Sequence, residues 1–384
     1  PSSFLLHPLE AAGAAMLIWF WLFFVFVIGL VVGSFLNVCV ARMPFEKSLL
    51  WPGSRCGNCL QPIRWYDNLP VISYLVLRGR CRTCGVSFSP RYFFVELLTG
   101  LGFSGLFYVE MVLNVHDWPH RGQPWAIAQG LYPWQWWAGY AYHALLFSFL
   151  MVASACDLSG RWIPFPLTLT GTFVGLIGAA CFPWPWPHTP EDIVARVRGL
   201  PPIEQNMFRN GPWWQMDFQV PQGLYPWPMW GPLPDWAPMG SWQLGLATGL
   251  VGMLAGTFVM RAVAFLFGTG LGKEALGLGD ADLMMMAGAF LGWQAVIIAF
   301  FVSVFPALVF AVVQLIVHRD NSLPYGPSLA AGIIITMLGW AWIGPRLQIL
   351  FFWGGLMLAL AVVGAAFMFG SAYVLRLGRG RSTS

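Results

Sequence analysis

Residues 16–40 read MLIWFWLFFVFVIGLVVGSFLNVCV, twenty-five positions without a charged side chain. As a helix rising 1.5 Å per residue this stretch reaches about 37 Å, enough to cross a hydrocarbon core of about 30 Å. Eight more apolar runs follow, near residues 92–112, 138–156, 166–182, 242–267, 282–292, 295–317, 328–344 and 350–375. The sixth of the nine runs, 282–292, is too short to span unaided; it either continues through Gly292-Trp293 or packs as a half-buried helix. The composition agrees. Of 384 residues 58% are hydrophobic and 9% charged, with a mean hydropathy of +0.65, whereas soluble domains carry roughly 25% charged residues. A soluble globular domain, a disordered chain, a coiled coil, collagen and a disulfide-stapled secreted domain are therefore excluded. The net charge of +4 gives no reason to expect a nucleic-acid partner. The fold expected is an all-α polytopic membrane protein of eight to nine transmembrane helices, with the lipid bilayer as its first partner.

Charge sets the orientation. With residue 1 outside, fifteen of the twenty Lys and Arg fall on inside segments, and only Arg121, Arg196, Arg198, Arg209 and Arg346 fall outside. Under the positive-inside rule the N-terminus is then periplasmic and the C-terminus cytoplasmic. The first span is not read as a cleaved signal peptide, since Glu10 precedes it, it has no basic leader region, and its apolar run is too long. The chain divides into a first transmembrane helix (1–40), a cytoplasmic domain (41–91), transmembrane helices (92–182), a periplasmic insertion (183–241), further transmembrane helices (242–349), and an extra helix with a basic cytoplasmic tail (350–384). The insertion carries thirteen Pro and seven Trp and no sustained period, as expected of a segment lying at headgroup level, the alternative being a partner-docking surface. Gln-Gly-Leu-Tyr-Pro-Trp occurs at 129–134 and again at 222–227, and reads as two similar interfacial turns.

The 41–91 segment holds four of the seven cysteines. Cys56-Gly-Asn-Cys59 and Cys81-Arg-Thr-Cys84 form two CxxC pairs separated by 21 residues, close to the spacing of a four-thiolate structural Zn²⁺ site. Two such knuckles close a tetrahedron with no open position, so the metal expected here is structural and not catalytic; the alternatives are disulfides, which a reducing cytoplasm disfavours, another metal, or vestigial thiols. Gly57 and Gly85 are expected to supply the backbone freedom the knuckles need. Cys39, Cys156 and Cys181, in or at the ends of apolar runs, read as small hydrophobes.

Acidic residues abutting membrane spans are costly and point to function. Asp157 closes the third span, and Asp280 opens the sixth within Gly277-Leu-Gly279-Asp280-Ala-Asp282; both fall on the inside face. Two carboxylates at one depth tend to share a proton. One can then activate a water while the other, protonated, donates to a scissile carbonyl. The structural alternative is that each merely caps a helix or meets a loop cation. Gly277 and Gly279 would let an extended peptide approach closely. Asp282, Glu96 and Glu274 are weaker candidates, Glu96 being expected to pair with a cation such as Arg91.

Together these residues resemble the type 4 prepilin peptidases. The resemblance rests on Gly33-Ser-Phe-Leu-Asn37-Val-Cys-Val-Ala-Arg42-Met-Pro44, on the segment from Trp51 through Cys84, on Tyr66-Asp-Asn68-Leu-Pro70 and Arg91-Tyr92-Phe-Phe-Val-Glu96, on Asp157 followed by Ile163-Pro164, on the Gly277–Asp280 turn, and on Leu323-Pro324-Tyr-Gly326-Pro327. It implies a membrane aspartic endopeptidase with Asp157 and Asp280 catalytic, supported by Gly277, Gly279, Pro324 and Gly326. It also implies prepilin or type II secretion pseudopilin substrates cut on the cytoplasmic side of the bacterial inner membrane, and N-methylation with S-adenosylmethionine. No Gly-rich nucleotide fingerprint marks where that cofactor sits. Three features depart from the pattern: Asp282 where a basic residue is usual, the long insertion, and the ninth span. Asp282 adds a like charge that would raise the proton affinity of the pair. Competing readings are a presenilin-like protease that also uses a GxGD aspartate, a proton-coupled transporter, and a non-catalytic zinc-bearing assembly scaffold. The cysteine domain disfavours the first, and the shared face of the two acids disfavours the second.

Overall fold

A computed structural model of the chain describes residues 8–116, 118, 130–181, 236–237, 241–271, 277–317, 324–352 and 354–380. The described parts of the nine apolar runs fall mainly in nine helices whose bounds differ from theirs: α1 Pro8–Arg42, α3 Arg91–Phe107, α4 Trp134–Leu158, α5 Phe165–Cys181, α6 Trp242–Leu271, α7 Leu278–Leu291, α8 Trp293–Val317, α9 Gly326–Phe352 and α10 Gly354–Gly380, with the short α2 Ile72–Val76 between α1 and α3. Seven of them are long and apolar enough to cross a bilayer; α5 and α7 fall short of that length. Among the described residues there is no strand, only isolated bridges pairing Arg55 with Pro62 and Arg80 with Ser87. The insertion at 183–241 lies, apart from 236–237 and 241, outside the described residues, as do Glu274 and the second Gln-Gly-Leu-Tyr-Pro-Trp turn.

The helices form two compact units, residues 1–164 and 165–384. In the first, α1 packs along α3 because small residues let the backbones meet. A Cβ on Gly29 would lie 2.8 Å from Gly100 Cα, and one on Gly33 2.7 Å from Glu96 Cα, the close approach that glycine permits between membrane helices. The opposite side of α1 stays uncovered, with Trp19, Phe23 and Val31 well exposed, as a lipid-facing surface requires.

In the second unit α7 is the innermost helix, packed by α5, α6, α8 and α9. Leu283, Met284, Met286, Ala287, Ala289, Phe290 and Leu291 are all buried. The sixth run is thus more enclosed than the half-buried helix expected, and it does not continue into the next one. Gly292 at φ +81 ends it, and α8 begins afresh at Trp293. Packing against α6 is backbone on backbone. A Cβ on Gly288 would fall 2.0 Å from the Gly252 carbonyl oxygen, and one on Gly256 2.2 Å from that of Met284. Helix α9 runs on to Phe352, past the break expected after residue 344; one proline removes a single ladder bond, which membrane helices tolerate.

Candidate functional site

The four-thiol domain occupies the loop between α1 and α3. Its two knuckles repeat one pattern: Cys56 N–H donates to Gln61 O at 3.0 Å and Leu60 N–H to Cys56 O at 3.0 Å, while Cys81 N–H donates to Val86 O at 2.8 Å and Gly85 N–H to Cys81 O at 2.9 Å. The residue four after the first cysteine takes positive φ in both, Leu60 at +60 and Gly85 at +73. The expectation for Gly85 holds; that for Gly57 is corrected. The left-handed residue of the first knuckle is Leu60, because the turn closes on the carbonyl of the first cysteine, four residues back.

Cys56 Sγ lies 3.7 Å from Cys84 Sγ and Cys59 Sγ 4.0 Å from Cys81 Sγ, and the four sulfurs lie within 4.8 Å of one another. Tetrahedral Zn–S bonds of about 2.3 Å put sulfurs about 3.8 Å apart, so the donor set fits Zn²⁺. The Cys84 thiol is drawn down to about 6, first by the Val86 backbone N–H, against a burial effect that raises it. Backbone N–H groups of Cys59 and Asn58 likewise lower Cys56. Both shifts favour the thiolate at these two positions, whereas Cys59, despite the lowering Gln61 backbone N–H, is pushed up to about 11 by burial and its thiol neighbours.

The domain is tied to the helices by named bonds. Arg42, at the end of α1, donates to the carbonyls of Ser48 at 2.9 Å and Pro52 at 2.7 Å. Val71, at φ +63, donates its N–H to Glu96 Oε2 at 2.7 Å; Glu96 therefore holds a loop backbone, not Arg91. Arg82 grips Asp67 with Nε and Nη2 at 2.6 to 3.0 Å, and its guanidinium lies over the Tyr66 ring. Between the domain and α1 and α3 opens a cavity of about 750 Å³, lined by Asn37, Arg42, Ser73, Tyr74, Arg91 and Glu96 among others. Asn37 Oδ1 and Arg91 Nε are buried with no hydrogen-bond partner.

Asp157 stands in the last turn of α4 in the first unit, half-buried. Gly160, at φ +65, closes the helix, and Arg161 N–H bonds back to Cys156 O at 3.0 Å, as helix C-termini commonly do. Arg91 Nη1 reaches Ser159 Oγ at 3.0 Å, and Arg161 Nη1 reaches Val40 O at 2.9 Å. Cys39 and Cys156 are buried, as expected of small hydrophobes, whereas Cys181 at the end of α5 is exposed.

Asp280 stands in the first turn of α7 in the second unit, three residues past the extended N-cap Gly277, a position that favours an acidic side chain. A Cβ on Gly277 would meet nothing closer than Asp280 Oδ2 at 3.8 Å, so the described fold does not itself demand a glycine there. Tyr325, between Pro324 and Gly326, feels the Asp280 charge and shares a 2.9 Å hydrogen bond with Ser303 Oγ. Tyr325 therefore lies within electrostatic range of Asp280. Arg261 of α6 lies within electrostatic range of Asp282 and offsets part of the extra negative charge that the sequence places there.

Three buried residues escaped the sequence reading: Glu110, His116 and His143, which converge at the far end of α3. The signal was present, since Glu110 and His143 interrupt apolar runs, where an ionisable group is costly. Their 33-residue separation hid the convergence.

The described residues thus form an all-helical, membrane-spanning fold with a four-thiol domain and an aspartate on a Gly-x-Gly-Asp turn. The Bacterial Peptidase A24 N-terminal domain matches residues 27–110 and the Type IV leader peptidase family matches residues 234–312; the four clustered cysteines and Asp280 fall inside these stretches and Asp157 between them. The chain is 30% identical over 274 residues to a prepilin leader peptidase/N-methyltransferase of Myxococcus xanthus, covering 71% of this chain and 57% of that protein. It is 28% identical to a type 4 prepilin-like proteins leader peptide-processing enzyme of Escherichia coli, over 80% of this chain and 90% of that one, and 27% identical to a prepilin leader peptidase/N-methyltransferase of Aeromonas salmonicida, over 83% and 92%. No solved structure matches. Two stretches of the chain thus match models of the peptidase A24 family, and relatives 27–30% identical over most of the chain are prepilin leader peptidases.

Proposed function

We propose that this protein is a multi-pass inner-membrane endopeptidase that removes the leader from prepilins and methylates the new N-terminus. The observation that carries the reading is Asp280 on the Gly277–Asp280 turn of the enclosed helix α7, inside the stretch matched by the leader peptidase family. Asp157 and Asp280 are the two carboxylates of the reaction. The ionised one takes a proton from water as its oxygen attacks the scissile carbonyl; the protonated one donates to the carbonyl oxygen, and collapse of the tetrahedral species returns a proton to the leaving amine. Gly277, Gly279, Pro324 and Gly326 shape the approach to Asp280. The scissile bond is presented on the cytoplasmic side, with the N-terminus of the enzyme periplasmic and its C-terminus cytoplasmic.

Cys56, Cys59, Cys81 and Cys84 hold a Zn²⁺ that fixes the domain and takes no part in the chemistry. The cavity beside it suits S-adenosylmethionine: its volume lies in the range of small-molecule sites, and Asn37 and Arg91 offer it buried polar atoms that the protein leaves unmatched. Bound there, the cofactor supplies a methyl group to the freed amine. Against the scaffold alternative stands the Asp280 turn.

The test is mass spectrometry of a prepilin incubated with the purified protein, with and without S-adenosylmethionine. Asp280→Asn and Asp157→Asn are each expected to slow leader removal by at least about 10³-fold, while Asn37→Ala lowers methylation and spares cleavage. Substantial cleavage by either Asn variant sinks the two-carboxylate assignment.

A further inference from the structure

We infer that Glu110, His116 and His143 form a second metal site, for a divalent ion of the zinc type, at the end of α3 remote from the cysteine domain. The three donors come from three places in the chain. Glu110 lies in the turn Tyr108–Val112, where the α3 backbone widens to i→i+5 bonding, with Leu113 N–H on Tyr108 O at 2.9 Å. Such single π turns occur often at functional sites. His143 projects from α4, and His116 from the turn that follows Asn114.

The turn is locked in place. Asn114 Oδ1 accepts from Trp118 N–H at 2.8 Å and its Nδ2 donates to Trp118 O at 3.0 Å. The Trp118 ring stacks on His116 at 5.6 Å and meets Trp136 edge-on.

The geometry is that of ligands around one point. His116 Nε2 lies 3.2 Å and His143 Nδ1 2.8 Å from Glu110 Oε1, and one ligand atom from each residue lies within 4.8 Å of the others. Bonds of about 2.0–2.1 Å to zinc at tetrahedral angles separate N and O ligands by about 3.3 Å. The second carboxylate oxygen, Oε2, is fully buried with no hydrogen-bond partner, and the Glu110 side chain has no exposure at all. A carboxylate enclosed this way is costly unless compensated. Two neutral imidazoles supply no charge, whereas a divalent cation supplies it and engages all three residues. Two histidines and one carboxylate suit zinc and its first-row neighbours. The rival account is a purely protonic network, with one histidine as imidazolium.

This site is independent of the leader peptidase reading, and its test needs no substrate. The full-length protein, purified in detergent, is exposed to Zn²⁺ or Co²⁺, freed of unbound metal and analysed for metal content. Wild type is expected to hold about two metals per chain, and Glu110→Gln and His143→Gln about one. Cys56→Ser/Cys81→Ser is expected to lose the other. Metal retained on the cysteines, read from thiolate-to-cobalt charge-transfer absorption, certifies that the Glu110 and His143 variants are folded. In wild type the remaining cobalt should show ligand-field bands with no thiolate character. A wild-type spectrum of thiolate-bound cobalt alone, or a metal content unchanged in Glu110→Gln, overturns the site in favour of the protonic network. That reading needs no variant to fold, because the wild-type spectrum suffices.

Discussion

Gly277 shows how one residue can separate packing from chemistry. Its φ of −73 is open to any amino acid, and the nearest neighbour a Cβ would meet is the Asp280 carboxylate at 3.8 Å. Gly277→Ala should therefore leave thermal unfolding in detergent nearly unchanged, and a loss of leader cleavage in it would report the room that a substrate needs beside Asp280. Equal cleavage by variant and wild type would remove Gly277 from the catalytic surroundings. Asp67 carries a second residue-scale prediction. Its bond to Arg82 holds the carboxyl below the ordinary Asp range, so the protonated form is disfavoured in the folded domain. The resulting stability is fully present above the unfolded value of about 3.9 and is lost as pH falls through the lowered native one. Urea unfolding of the wild type followed by tryptophan fluorescence should weaken across that acidic window, and Asp67→Asn should flatten this part of the profile.

At the scale of elements, the crossing of α6 and α7 is the tightest contact described. Gly288→Val would drive a side chain into the Gly252 carbonyl and should destabilise the second unit by about 3 kcal/mol or more, read as a fall in the denaturant midpoint; an unshifted midpoint would mean that the helices separate freely. The helices themselves were legible because an apolar run of about 20 residues has few other fates. What could not be read was where they stop. The sequence has no sign that α9 passes residue 344, because helix continuation across a glycine and a proline depends on neighbours that only the folded unit supplies. The knuckles divide the same way. CxxC spacing identified the ligands, but the left-handed residue is set by which carbonyl the turn closes on, and that placed Leu60 rather than Gly57 at positive φ. Glu96 was visible as an acid in a span, yet its partner is the backbone of Val71, which carries no sequence signal.

For the whole molecule, chemistry-bearing residues gather at helix ends: Asn37 and Arg42 near the end of α1, Arg91 and Glu96 at the start of α3, Asp157 at the end of α4, Asp280 at the start of α7. Apolar middles supply the membrane anchor, and the residues that the motifs singled out stand at the polar ends. The Glu110, His116 and His143 cluster lay outside that logic. It is built by a widened turn and by residues distant in sequence, and no spacing rule joins them.

Helix α5 has seventeen residues, about 26 Å of helix, while Phe165, Phe173 and Ile177 on its surface are exposed. A lipid-facing helix shorter than the surrounding hydrocarbon must thin the bilayer or draw its flanking residues inward, at a cost of fractions of a kcal/mol per ångström. A described helix this short favours thinner hydrocarbon around the second unit, in which α5 packs against α7, the helix that carries Asp280.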